Sequence, residues 1–379
     1  MNISISRYNE TLLENNMEEN EQPWRELEKQ LIMDVIETRN LSLFTGKYLS
    51  KAENLLESIF PGNKAILLNS GTSALHIALK AHKIGPGDEV ILPSITYPAT
   101  ALAVLHAGGK PVFAEIDPHS FTLDPESCLR LITENTKAII FVHLFGVPDN
   151  IEKVVDLCKL KDIILIEDCA QAFGSTLKGK QAGTFGQAGC FSFFESKTIS
   201  AGEGGALIIP ENTMAALGRR YRHHGMDAIN NERSVAVEGY NYKPSEFQSA
   251  LVCAQLKYYK EIIHKRISTS KFIYSQLGGK FKFQAISDHT DAVLDKICFF
   301  FNSKKDRKKA EILDHGFGLF RYLNRPLFKE PLFTSFGPIH EHPVSEFFCK
   351  HHLVLQVSPY QQKKDIKKNI NNFTKRYRR

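Results

Sequence analysis

From residue 65 to residue 167 the chain switches repeatedly between two periodicities, and this switching restricts its fold more than any other feature. Short apolar runs at 65–69, 89–92, 111–115, 138–142 and 163–167 read as strands. The stretches 74–81, 99–106, 125–133 and 151–160 between them read as helices. Strands that are apolar on both faces need helices above and below them, so the expected class is α/β with a mainly parallel sheet. Ligands of such sheets sit beyond the carboxyl ends of the strands, which makes the residues there the candidate site.

Ser70-Gly71-Thr72-Ser73 carries the first strand through small residues into a helix. Free backbone N–H groups, the helix dipole and the hydroxyls of Thr72 and Ser73 then form a phosphate site. An ordinary N-cap by Ser70 or Thr72 is the competing reading. Thr96-Tyr97-Pro98 follows the second strand and offers Tyr97 either as a plate for a flat ligand or as a packed aromatic. Asp168 directly follows the fifth run. A carboxylate at the mouth of a buried strand needs a cationic partner, unless it only caps a helix or closes a structural ion pair. Gln171 shares its face, and Gly174, Gly179, Gly183, Gly186 and Gly189 mark turns before 191–194 re-enters the core.

That re-entry is Phe191-Ser192-Phe193-Phe194, followed by Glu195-Ser196-Lys197 and a flexible stretch closing in Gly202-Glu203-Gly204-Gly205. Lys197 lies in a loop between two buried strands, where partial desolvation disfavours the ammonium form and frees the amine as a nucleophile. Lys178 and Lys180 flank Gly179 in a polar turn and stay hydrated. A phosphate cradle, a ring plate, a buried acid and a nucleophilic lysine together meet the needs of pyridoxal 5′-phosphate (PLP): an anchor, a stack, a partner for the ring nitrogen and a Schiff-base lysine.

Composition removes other classes. The 379 residues carry a formal charge of +6, too weak and too dispersed to indicate nucleic acid. Much of the excess lies between Lys363 and Arg379, which reads as a charged, solvated helix. The seven cysteines include no Cys-x-x-Cys pair, so buried, reduced thiols in a cytoplasmic protein are expected, with no disulfide frame and no metal site. The acidic start is unlike a signal peptide, and no apolar run reaches membrane-spanning length. A nucleotide-binding dehydrogenase is disfavoured because no Gly-x-Gly-x-x-Gly turn follows the first strand.

The same stretches resemble the DegT/DnrJ/StrS family of PLP-dependent sugar aminotransferases of fold type I. The resemblance rests on Asn69–Leu75, Gly85–Ile91, Thr96–Thr100, Glu167–Ala172, Phe191–Gly205, Gly239-Tyr240-Asn241-Tyr242 and Pro244–Leu256, covers roughly 25–265 and fades after about 270. It implies that Lys197 bonds the cofactor, that Asp168 partners the pyridine nitrogen and that Gln171 lies near the ring's phenolic oxygen. Tyr97 stacks on the ring, and Gly71, Thr72, Ser73 and Ser192 surround the phosphate. Asn241 reaches the phosphate of a second subunit, which implies a homodimer with active sites at the interface. The activity implied is transfer of an amino group from glutamate or glutamine to the ketone of a nucleotide-linked keto-sugar or a related cyclic polyol. The alternatives are a dehydratase or deoxygenase on the same scaffold, whose relatives can carry His at the Lys197 position, and a non-catalytic PLP-binding regulator.

The chain before about residue 22 reads as a loose arm, Pro23 opens a helix, and 245–277 reads as one long bridging helix. A large PLP-binding domain is expected over 1–254 and a smaller C-terminal α/β domain over 255–379, with strands near 297–301 and 354–357. Ser303-Lys304-Lys305-Asp306-Arg307 and His340-Glu341-His342 are basic or polar candidates for touching the sugar, but solvated loops are the favoured reading of both.

Overall fold

The computed structural model describes residues 22–210, 212–229, 232–279, 281–314, 316–337 and 340–377; the expected N-terminal arm lies almost wholly outside them. In chain order come α1 (Pro23–Thr38), α2 (Tyr48–Ile59), β1 (Lys64–Leu68), α3 (Gly71–Ala81), β2 (Glu89–Pro93) and α4 (Pro98–Ala107). β3 (Lys110–Ala114), α5 (Pro125–Leu131), β4 (Thr136–Val142), α6 (Ile151–Lys161) and β5 (Ile164–Asp168) follow. A hairpin of β6 (Thr176–Leu177) and β7 (Lys180–Gln181) precedes β8 (Ala188–Ser192), β9 (Gly205–Ile209) and α7 (Asn212–Arg222). A second hairpin, β10 (Met226–Ile229) and β11 (Glu232–Val235), leads to α8 (Glu246–Lys257) and α9 (Tyr259–Leu277). The remainder is β12 (Lys282–Phe283), β13 (Thr290–Asp291), β14 (Lys296–Phe300), α10 (Lys304–Leu313), β15 (Leu319–Phe320), α11 (Pro343–His351), β16 (His352–Gln356) and α12 (Lys363–Tyr377).

Seven strands form one sheet in the order β1-β9-β8-β5-β4-β2-β3. β9 alone runs antiparallel to its neighbours β1 and β8, while β8, β5, β4, β2 and β3 pair in parallel. The strand interiors are mostly apolar because both faces are covered. Ile66, Leu68, Leu207 and Ile209 pack with Ala74, Ile77 and Ala78 of α3 on one side. Ala65, Leu67, Ala206 and Ile208 point the other way, into a core shared with α1, α2 and α8. The register sets Leu68 and Ser192 opposite Gly205, and Asp168 opposite Cys190. The carboxyl ends of β1, β8 and β5 therefore lie side by side with the start of β9.

The C-terminal part has its own antiparallel sheet, β12-β14-β16-β15. Its core takes Ile273 and Leu277 from the end of α9, and α12 docks on it through Ile366, Ile370 and Phe373 at helical spacing. The charged C-terminal helix is thus realised, with its apolar stripe turned inward.

Several expectations need correction. The single helix expected over 245–277 is two, broken at Tyr258, the C-cap of α8 and the residue before α9. The Ser303 stretch is the capped start of α10: the Ser303 hydroxyl accepts from the Asp306 N–H at 3.0 Å, and Arg307 is buried, donating to Lys350 O at 2.9 Å. His342 is buried against Phe328 and Ser94, not solvated. Gly189 marks no turn; it sits inside β8, where an added Cβ would meet Gly183 O at 2.4 Å.

Candidate active site

The first component is the turn from β1 into α3. Ser70 is extended (φ −163°, ψ 161°), and its hydroxyl accepts from the Ser73 N–H at 3.0 Å, so the N-cap reading holds for Ser70. Ser73 Oγ donates to Asn69 Oδ1 at 2.7 Å and lies 2.8 Å from Ser70 Oγ, which commits this hydroxyl to the cap. Among the described residues the N–H groups of Gly71 and Thr72 and the Thr72 hydroxyl make no hydrogen bond. The cap therefore coexists with a helix start that still offers donors. A Cβ on Gly71 would lie 2.9 Å from Ser192 Cβ, and one on Gly205 2.3 Å from Ser70 O. Glycine at both positions lets the ends of β1, β8 and β9 close into a cradle.

Asp168, the last residue of β5, is 5% exposed. Its Oδ2 accepts from Thr100 Oγ1 at 2.8 Å and its Oδ1 from the Ala170 N–H at 3.1 Å. Burial pushes its carboxyl above the ordinary aspartate value, and these two hydrogen bonds oppose the shift in part. Among the described residues it forms no ion pair. In Glu167, the residue before it in β5, Oε2 accepts from the buried His143 Nε2–H at 2.9 Å. The Glu167 carboxylate also takes the N–H groups of Gly183, Phe185 and Gly186 at 2.6–2.7 Å. Gln171 is fixed at both ends of its amide: Oε1 accepts from the Phe145 N–H at 2.7 Å and Nε2 donates to Tyr322 Oη at 2.9 Å. Tyr97 precedes α4 and is 64% exposed, so it is not a packed aromatic.

Lys197 follows a turn closed by its N–H on Phe194 O at 2.9 Å. Its side chain is 14% exposed, and Nζ lies 3.6 Å from Oδ2 of Asp295, which is 1% exposed. Lys296 Nζ bonds the same oxygen, and Arg266 Nη1 stands 3.7 Å from Asp295 Oδ1. Asn241 is exposed on its strand-like stretch, where its Oδ1 accepts from Lys243 Nζ.

Thr100, Asp295, Lys296, Arg266 and Tyr322 were not singled out from the sequence. Thr100 carried a faint signal, one helical turn into the element after Tyr97. The other four come from segments beyond 257 that meet the sheet only in three dimensions.

The set brought together is Lys197, Asp168, Gln171 and, in the cradle, Gly71, Thr72 and Ser192; Ser73 supports the cradle from within the cap. The residues fit a phosphate-bearing pyridine. The helix start offers free donors, and the buried carboxylate without a cation suits a protonated ring nitrogen. Lys197 is the amine whose charge acts on Asp168.

The chain is similar to proteins of one known family. The model of the DegT/DnrJ/EryC1/StrS aminotransferase family matches residues 24–374. GDP-perosamine synthase of Caulobacter vibrioides is 38% identical over 230 residues, 61% of this chain and 62% of the relative. L-Glutamine:2-deoxy-scyllo-inosose aminotransferase of Streptomyces kanamyceticus is 41% identical over 197 residues, 50% of this chain and 46% of the relative. The alignments thus span less than two thirds of these relatives' length. The structure of S. venezuelae DesV superposes with a TM-score of 0.86 at 27% identity, covering 94% of this chain and 95% of that one.

Proposed function

The chain belongs to the DegT/DnrJ/EryC1/StrS aminotransferase family, whose members depend on PLP, and on that premise we propose that it is an aminotransferase acting on a keto-sugar. The observation that carries the proposal is Asp168: a buried carboxylate, raised by burial, in no ion pair among the described residues and within the field of Lys197. PLP, when bound, supplies the electron sink that lets an amino group leave one carbon and join another.

The protein's own groups then have distinct tasks. The α3 start, Thr72 and Ser192 hold the phosphate, with Gly71 and Gly205 letting the backbones approach. Asp168 keeps a proton on the ring nitrogen, oriented by Thr100 and the Ala170 N–H. Gln171, fixed by Phe145 and Tyr322, would lie near the phenolic oxygen, and exposed Tyr97 would be free to stack on the ring. Lys197 Nζ would be the nucleophile that bonds the cofactor and, once freed, the base that takes the proton from the donor's α-carbon.

The finer parts of the proposal are a glutamate or glutamine donor and a nucleotide-linked keto-sugar or related cyclic polyol as acceptor. The names of the two relatives, one a GDP-sugar enzyme and one an L-glutamine-dependent enzyme, support them. A homodimer in which Asn241 serves the partner's phosphate, and a division of the chain into 1–254 and 255–379, belong to the same reading.

The test is Lys197→Ala. This variant is expected to lose turnover completely while still binding PLP, and to lose the borohydride-stable bond to the cofactor. Lys178→Ala and Lys180→Ala are expected to remain active. Phosphopyridoxyl mapped to any lysine other than Lys197 in the native chain refutes the assignment.

A further inference from the structure

Three cations converge on one buried carboxylate beside the cofactor lysine. Asp295 Oδ2 is shared by Lys197 Nζ at 3.6 Å and by Lys296 Nζ, which is itself buried. Asp295 Oδ1 faces Arg266 Nη1 at 3.7 Å and accepts from Gln356 Nε2 at 3.2 Å. The same two partners hold the backbone that carries Lys197. Arg266 Nη2 donates to Ser196 O at 2.7 Å and Gln356 Nε2 to Ser196 O at 3.3 Å. Arg266 is in turn pinned by Val357 O at 2.7 Å and is 1% exposed. Arg266 comes from α9, Gln356 from β16 of the small sheet and Asp295 from the residue just before β14, whereas Ser196-Lys197 belongs to the loop between β8 and β9.

Resting on the reading of Lys197 as the cofactor lysine, we propose that Asp295 is a positioning residue. It docks the Lys197 ammonium while that amine is not engaged with the cofactor, and Lys296 limits the strength of the hold by competing for the same oxygen. The charged groups facing Lys197 from the surrounding elements are Asp295, Lys296 and Arg266, with Asp168 acting through space from β5. Burial alone would raise the Asp295 carboxyl. Lys296, Lys197 and Arg266 outweigh burial and hold it well below the usual carboxylate range. Asp295 therefore stays ionised: it holds the ammonium and does not store its proton. The competing Lys296 is pushed down by its own burial and by Lys197, against the pull of Asp295.

The test reads lysine reactivity in the full chain freed of PLP. A brief pulse of acetic anhydride at neutral pH, mapped by mass spectrometry, reports the reactivity of Lys197 relative to Lys178 in the same molecule. A charge within about 4–6 Å changes the free-amine fraction by about tenfold or more. Asp295→Asn is expected to raise Lys197 labelling by about that factor, and Lys296→Met to lower it by a similar one. A purely structural role loosens the loop and raises labelling in both variants, so opposite directions are required. Unchanged labelling in either variant, or a change of the same sign in both, overturns the proposal. If Asp295→Asn does not fold, Lys296→Met decides alone, since only slower labelling agrees with a competing cation. Borohydride mapping of PLP in the native chain is a separate measurement; its failure refutes the cofactor-lysine reading, whatever the acetylation pattern.

Discussion

Asp168 shows how one residue is placed against its own solvation. Burial raises its carboxyl, with Thr100, the Ala170 N–H and the field of Lys197 opposing the shift. An acid whose folded value lies above its unfolded one contributes stability below the unfolded value and loses it as pH rises through the folded value. The ionised carboxylate is therefore a liability in the chain without PLP. Asp168→Asn is expected to raise the melting temperature of the PLP-free chain at pH 7, with the difference closing as pH falls into the acid range. Saturating PLP should reverse the ranking, because only the carboxylate gains a cationic partner. Calorimetry of both chains across pH, with and without PLP, makes the measurement; a native chain more stable than the variant without PLP at pH 7 would contradict it.

At the scale of elements, the cradle depends on β9 starting where β1 gives way to α3. A Cβ at Gly205 would meet Ser70 O at 2.3 Å, Ser70 C at 2.4 Å and the Gly71 nitrogen at 2.6 Å. All three are backbone atoms, so no side chain can swing aside. Gly205→Ala is expected to cost about 1–3 kcal/mol of stability by overpacking. It should also weaken PLP binding at least tenfold, because the displaced segment carries the free donors. Gly179→Ala is the control. Its φ of +79° makes the substitution strained, but nothing lies within 4 Å, so stability falls and PLP affinity holds. Equilibrium dialysis with PLP separates the two; equal losses of affinity would mean that the cradle does not depend on this contact.

For the whole molecule, the proposed dimer makes a prediction that no single chain can satisfy. If Asn241 serves the partner's phosphate, a Lys197→Ala chain still supplies a good Asn241, and an Asn241→Ala chain still supplies a good Lys197. Mixing the two under conditions that exchange subunits should restore one complete site per hybrid dimer. Recovery of activity to about half of the native level per hybrid is expected by that count. No recovery, with hybrids demonstrated by native mass spectrometry, would assign Asn241 to its own subunit. The described residues also contain no helix long and apolar enough to cross a membrane.

Much of the large sheet and its site was legible because local chemistry dictates it. Apolar runs at 65–69, 138–142 and 163–167 form strands wherever helices cover both faces, and β1, β4 and β5 fall within two residues of those limits. Gly71, Asp168 and Lys197 stand at the ends of such runs, so their placement followed from the strands. Spatial strand order was a different matter. β1 and β2 follow each other in sequence, yet they lie at positions one and six of the sheet, since long-range packing chooses neighbours. The break at Tyr258 was equally hidden, because neither Gly nor Pro marks it. The surroundings of Lys197 were hidden for the same reason. Arg266 falls in the helix expected over 245–277 and Gln356 in the strand expected near 354–357, and nothing in the sequence ties either of them, or Asp295 and Lys296, to Lys197. Only the docking of α9 and the small sheet against the Lys197 loop turns them into one buried charge cluster. Sequence determined which residues can do the chemistry, through periodicity and turn residues that act over a few positions. Tertiary structure alone decided which charges surround them, because electrostatic neighbours are set by distance in space and not along the chain.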